Sequence, residues 1–216
     1  MWAAGQEGAS TLRERLKRET AALHCHLEAQ LGLLEPGLSM RRYRQLLETF
    51  YGFYAPVETS LVRIAAARPP RGFSMKIRSE LLENDLQALG LTRRQLAELP
   101  RCVSLPPLSN EEQLAGCLYV LEGASLGGRV IARALDRDLG IAKESGASFF
   151  VGDAEATSAR WREVLAWLGG LEQAGPGSDA VVAAAQATFV AFAHWAEERL
   201  VFGPSTGEQE EAIWSS

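Results

Sequence analysis

Along almost the whole of this 216-residue chain, apolar residues recur every three or four positions. That is the period of an α-helix with one buried face, and no run sustains the period of two that a half-buried strand requires. From Thr11 to about Leu34, a single stripe carries Leu12, Leu16, Leu23, Leu27 and Leu31, and it ends at the turn sequence Glu35–Pro36–Gly37. A second helix is expected after Ser39, through "YRQLLETFYGFYAPVETSLVRIAA", with a bend where Pro56 removes a backbone donor. Arg68 to Gly72 reads as a break. Ser74 then caps a helix to about Leu89, and Thr92 caps a short one that stops at Pro100. Ser109 with Glu112 reads as a capping box opening the next helix, and Asp153–Leu168 and Asp179–Leu200 form the last two. "ASFFVG" at Ala147–Gly152 is short and reads as a connector. The expectation is an all-α, single-domain, multi-helix bundle of roughly seven helices over residues 11–202, with a flexible stretch at 1–10 and a polar tail at 203–216.

With 47% hydrophobic and 23% charged residues the chain has the composition of a soluble globular protein, and a net charge of −5 argues against a nucleic-acid binder, which needs a basic excess. Arg41, Arg42 and Arg44 read as a solvated helix face. No N-terminal segment joins a basic start to a long apolar run, and no stretch reads as the ~20 apolar residues of a bilayer span, so a cytoplasmic protein is expected. Cys25, Cys102 and Cys117 are odd in number and unrelated in spacing, which reads as structural or incidental thiols.

Three features carry chemistry. In "LKRETAALHCHLEAQL", His24 and His26 stand roughly 200° apart around a helix, so they cannot share a ligand. His24 belongs to the apolar stripe with Leu16, Thr20, Leu27 and Leu31, and His26 to the outer side. A histidine there is either a core residue bonded to a carbonyl or carboxylate, or a ligand. Glu28, one turn on, can accept from one ring nitrogen and leave the other free. Lys17 lies seven residues back on the same face, a cation that suits an anionic group on a flat apolar ligand. In "YVLEGASLGGRV", Gly123, Gly127 and Gly128 interrupt a helical pattern, although each glycine costs ~1 kcal/mol relative to alanine in a helix. They read either as close helix packing or a helix end, or as bare backbone against a planar ligand, with Tyr119 along the same face.

Together "LKRETAALHCHLE" and "YVLEGASLGGRV" resemble the biliverdin-forming bacterial heme oxygenases, and the resemblance extends through "YRQLLETFYGFYAPVE" and "SFFVGDAEATSARWREVL" over most of the chain. It implies a heme-oxygenase-like bundle with heme between a proximal and a distal helix. It matches His24 to the iron ligand, Glu28 to its partner, Lys17 and Tyr119 to the propionate anchors, and Gly123, Gly127 and adjacent Gly128 to the distal glycines. Mammalian relatives place an aspartate where this chain has Ala124, so Ser125 or backbone carbonyls would hold the distal water. Where relatives often carry a basic residue after the threonine, this chain has Ala21. The implied activity is O2- and electron-dependent cleavage of heme, both cofactor and substrate, to biliverdin, carbon monoxide and iron. Its electrons would come from an external reductase or ferredoxin, since no dinucleotide fingerprint is present. The alternative is a non-degrading heme carrier or sensor on the same fold.

Overall fold

A computed structural model describes residues 10–67, 76–175 and 177–200, and every regular element among them is helical. The expected N-terminal stretch over residues 1–9, the Arg68–Gly72 break, the Ser74 cap and the 203–216 tail lie outside the described residues.

Helix α1 (Leu12–Leu31) opens with a complete capping box, in which the Thr11 side chain and backbone exchange hydrogen bonds with Glu14. It closes on Gly32, whose φ of 62° is left-handed backbone that glycine adopts without penalty. Leu12, Leu16, Leu27 and Leu31 are its buried stripe. Helix α2 (Met40–Ala67) runs through Pro56, and α3 (Ser79–Ala88) and α4 (Arg93–Glu98) follow. Helix α5 (Glu111–Gly123) passes into a 3-10 turn (Ala124–Gly127) and then α6 (Gly128–Leu139). Asn110, rather than Ser109, caps α5: its side chain accepts the Gln113 N–H, while Gln113 Oε1 accepts from Ser109 N–H and hydroxyl. The capping pair is therefore shifted one residue onward from the expected one. The expected connector at Ala147–Gly152 holds a one-turn helix, α7 (Ser148–Val151), and α8 (Ala154–Ala174) and α9 (Ser178–Arg199) complete the bundle.

Helix α9 is the centre of the packing, against both α5 and α1. Gly116 makes the α5 crossing possible, because a Cβ there would stand 2.3 Å from the Val181 carbonyl oxygen. Two side-chain amides tie α1 to α9: Gln186 donates to the Glu19 carbonyl at 3.0 Å and Gln30 to the Ala193 carbonyl at 2.9 Å. An aromatic cluster of Phe50, Phe53, Tyr54, Phe149, Phe150 and Phe192 fills the space between α2, α7 and α9, with Phe53 and Phe192 stacked at 4.5 Å. By length and composition alone, Glu111–Leu139 could cross a bilayer, a run the sequence reading passed over; half of its most apolar stretch is buried within this molecule, as in the core helix of a globular fold.

Candidate functional site

The α1 stripe is buried along one side only, and its edge opens onto a cavity of about 670 Å³. Helix α1 contributes Lys17, Thr20, His24, Cys25 and Glu28; α5 and the 3-10 turn contribute Tyr119, Gly123, Ala124, Ser125 and Leu126. Phe50, Phe149, Phe150, Phe189 and Phe192 give it an aromatic lining, and Arg78 is a second cation on its wall.

His24 is less buried than a core position on the stripe would be, with its side chain half exposed at the cavity. Its Nδ1 lies 3.2 Å from Glu28 Oε2, and Phe189 meets the ring edge-on at 5.8 Å. A carboxylate at Nδ1 favours the tautomer with the proton there and leaves Nε2 as the free lone pair. His26 is exposed and is not part of the lining. Tyr119 is half-buried, and burial raises its phenol above the ordinary tyrosine value, with a hydrogen bond to Thr20 and the charge of Arg13 opposing that rise. It therefore remains a neutral donor.

The break between α5 and α6 has a structural cost that side chains offset. Where the ladder changes from four-residue to three-residue spacing, carbonyls lose their regular partners. The Leu121 carbonyl accepts from Arg78 Nη1 at 3.2 Å and from the Tyr54 hydroxyl at 3.4 Å, and the Glu122 carbonyl accepts from the Ser125 hydroxyl at 2.5 Å. Arg78 also donates from Nη2 to the Phe149 carbonyl at 2.9 Å and lies 4.4 Å from the Phe149 ring centre. Its own backbone is fixed by Glu58, which accepts from the Arg78 and Ser79 N–H groups at 2.9 and 3.0 Å. Burial still raises the Glu58 carboxyl, against those hydrogen bonds. Beside Gly123, Glu122 and Arg160 form an ion pair at 2.8 Å with side-chain exposures of only 7% and 5%.

The three glycines have different surroundings. Gly123 lines the cavity, and a Cβ there would meet only the Trp161 ring, at 3.6 Å. Gly127 and Gly128 do not line it. At Gly127 a Cβ would find only Ile131, at 3.6 Å, whereas at Gly128 it would lie 2.4 Å from the Phe150 carbonyl oxygen. The missing side chain at Gly128 thus admits the backbone of α7, not a ligand. Lys17, His24, Glu28, Tyr119, Gly123 and Ser125 do share one cavity.

Residues 10–198 match the family model described as heme oxygenase. The chain belongs to the heme oxygenase family. A heme oxygenase of Xanthomonas campestris pv. campestris (strain 8004) is 34% identical over 154 residues, 71% of this chain and 83% of that one. The fold is similar to the NO- and CO-bound heme oxygenase of Neisseria meningitidis, with a TM-score of 0.71 at 20% identity over 91% of this chain and 96% of that one. Heme oxygenase-1 of the cyanobacterium Synechocystis sp. PCC6803, solved in complex with heme, has a TM-score of 0.65 at 18% identity, over 88% and 92%. In this chain both sequence motifs, apart from Gly127 and Gly128, contribute residues to one cavity. Arg78 lines that cavity as well; Glu58, which holds the Arg78 backbone, and the Glu122–Arg160 pair beside Gly123 do not line it, and none of the four stands out in the sequence motifs. Their one legible signal was an acid among leucines: Glu122 follows Leu118 and Leu121 on a face that buries both.

Proposed function

We propose that this heme oxygenase holds its substrate, heme, in the α1/α5 cavity with His24 Nε2 on the iron, and opens the ring to biliverdin, carbon monoxide and iron. The observation that carries this reading is the cavity itself. One wall offers an imidazole whose second nitrogen faces a carboxylate, the lining is aromatic, and Lys17 and the Tyr119 phenol share that lining, residue types that suit a flat apolar dianion. Those residue types fit the group: an apolar macrocycle, a metal that takes a neutral imidazole, and two carboxylates.

When bound, heme supplies the iron that takes up O2 and the ring carbon that is oxidised. The residues do the rest. His24 presents Nε2, and Glu28 fixes its ring through Nδ1. Lys17 and Tyr119 would hold the two propionate carboxylates and so orient the ring. Gly123 and Ala124 would leave the space beside the ring edge free of a bulky side chain, so that a ring carbon stays open to attack. Ser125 spends its proton on the Glu122 carbonyl, so its oxygen is left as an acceptor that can orient a water. This replaces the aspartate of mammalian relatives, where this chain has Ala124. The Arg78 bonds to Leu121 and Phe149 keep the broken helix in place beneath that water. Electrons come from a separate reductase or ferredoxin, in the cytoplasm.

The test is to load the protein with hemin, add ferredoxin, its reductase and NADPH in air, and follow the visible spectrum. Replacement of the heme band by that of biliverdin supports the proposal. A heme band that persists through repeated reduction assigns the chain to heme storage or sensing instead.

A further inference from the structure

Cys25 is the one exposed thiol among the described residues, and it stands next to His24 at the cavity. The ligand-capable atoms of His24, Cys25 and Glu28 all lie within 4.8 Å of one another. We infer that, before heme arrives, His24 Nδ1, Cys25 Sγ and Glu28 Oε2 form a site for a thiophilic divalent cation of the Zn2+ class, and that this ion and heme exclude each other.

The donor set has the composition of a zinc site: one imidazole, one thiolate and one carboxylate, with a fourth position open to water. At ordinary Zn–N and Zn–O lengths of about 2.1 Å, two ligands at a tetrahedral angle stand roughly 3.4 Å apart. The His24 Nδ1 to Glu28 Oε2 distance is 3.2 Å, close to that separation, so side-chain rotation lets the pair chelate once the Nδ1 proton has moved to Nε2. Helix geometry explains the grouping. His24 and Cys25 are 100° apart, and Glu28, one turn on, falls between them. Binding releases the thiol proton, and the divalent charge is then balanced by one thiolate and one carboxylate, an electroneutral complex suited to the edge of an apolar cavity.

The exclusion follows from the tautomer. A metal on Nδ1 takes that nitrogen's lone pair and leaves the single imidazole proton on Nε2, the nitrogen that the heme-binding reading needs bare. Mutual exclusion rests on that reading; the cation site does not.

Co2+ is the probe, added to the heme-free full-length chain, because a cobalt–thiolate bond gives a near-ultraviolet charge-transfer band that oxygen and nitrogen ligands lack. The band should appear in wild type, vanish in Cys25→Ser and His24→Ala, and be displaced by Zn2+. Zn2+ should bind about tenfold or more weakly to Cys25→Ser. At a Zn2+ concentration that half-saturates wild type, Zn2+ should also slow hemin uptake by wild type and slow uptake by Cys25→Ser far less. Absence of the band, or a band unaltered in Cys25→Ser, overturns the site whatever heme does. A normal band combined with a hemin spectrum indifferent to His24→Ala upholds the site and overturns the heme ligand.

Discussion

Gly128→Ala isolates why the distal helix carries so many glycines. The Gly128 backbone is ordinary right-handed helix, with φ −50° and ψ −39°, so conformation gives no reason for glycine there. Helix propensity alone would favour alanine by ~1 kcal/mol. Against this stands the new Cβ, 2.4 Å from the Phe150 carbonyl oxygen. That obstacle is backbone and cannot swing aside, so α6 and α7 must separate. Overpacking of this kind costs about 1–3 kcal/mol, and with rigid backbone as the partner the upper part of that range applies. The net expectation is a loss of about 1–2 kcal/mol, or roughly 2–8 °C in Tm at this chain length. Gly127→Ala is the control: its φ is −74° and its new Cβ meets only Ile131 at 3.6 Å, so it should be neutral or more stable by up to ~1 kcal/mol. Urea unfolding of the heme-free variants by far-ultraviolet circular dichroism measures both. A Gly128→Ala protein as stable as Gly127→Ala would refute the packing argument and return Gly128 to the ligand.

Other residues give equally definite outcomes. Arg160→Met leaves the Glu122 carboxylate buried without its 2.8 Å partner and should cost about 3–5 kcal/mol, whereas adding Glu122→Leu should recover most of that; a double variant no better than the single one argues against the pair. Burial raises the Glu58 carboxyl in the folded chain, so the native state holds its proton over a range where the unfolded chain has lost it. The stability Glu58 contributes is thus fully present below the unfolded carboxylate pKa and declines as pH rises through the raised folded value. The stability of wild type relative to Glu58→Gln should fall between mildly acid and neutral pH in urea titrations, and a difference that grows with pH contradicts this. Glu28→Gln keeps a side chain able to accept at His24 Nδ1 but removes the charge, so the hemin complex should form with a weakened iron–imidazole bond, visible as a lowered iron–histidine stretching frequency.

Much of this was legible in the chain because it is set locally. The α1 stripe, its Thr11 cap and the position of His24 one turn before Glu28 follow from helical spacing alone. What was not legible depends on packing between distant segments. Asn110 took the α5 cap from Ser109 because its amide reaches the Gln113 N–H, a contest between neighbours that composition leaves open. Asp85, on α3, accepts the Ser148 and Phe149 N–H groups at 2.7 and 2.8 Å and so turns the expected connector into α7. Arg78 meets the distal break only through tertiary structure, 43 residues from Leu121. Gly123 and Gly128 look alike in sequence, yet Gly128 lies against a carbonyl and Gly123 against the cavity, a distinction that exists only once α7 and α8 are placed. The spacing of Cys25 to the other cysteines says nothing of its nearness to His24 and Glu28, which the helix brings within 4.8 Å of one another.

The most direct test of His24 as the iron's protein ligand is resonance Raman spectroscopy of the ferrous, oxygen-free hemin complex. Wild type should show the iron–histidine stretching band, His24→Ala should lack it, and added imidazole should restore a five-coordinate complex. A band that survives His24→Ala would place the iron on another residue and contradict the assignment.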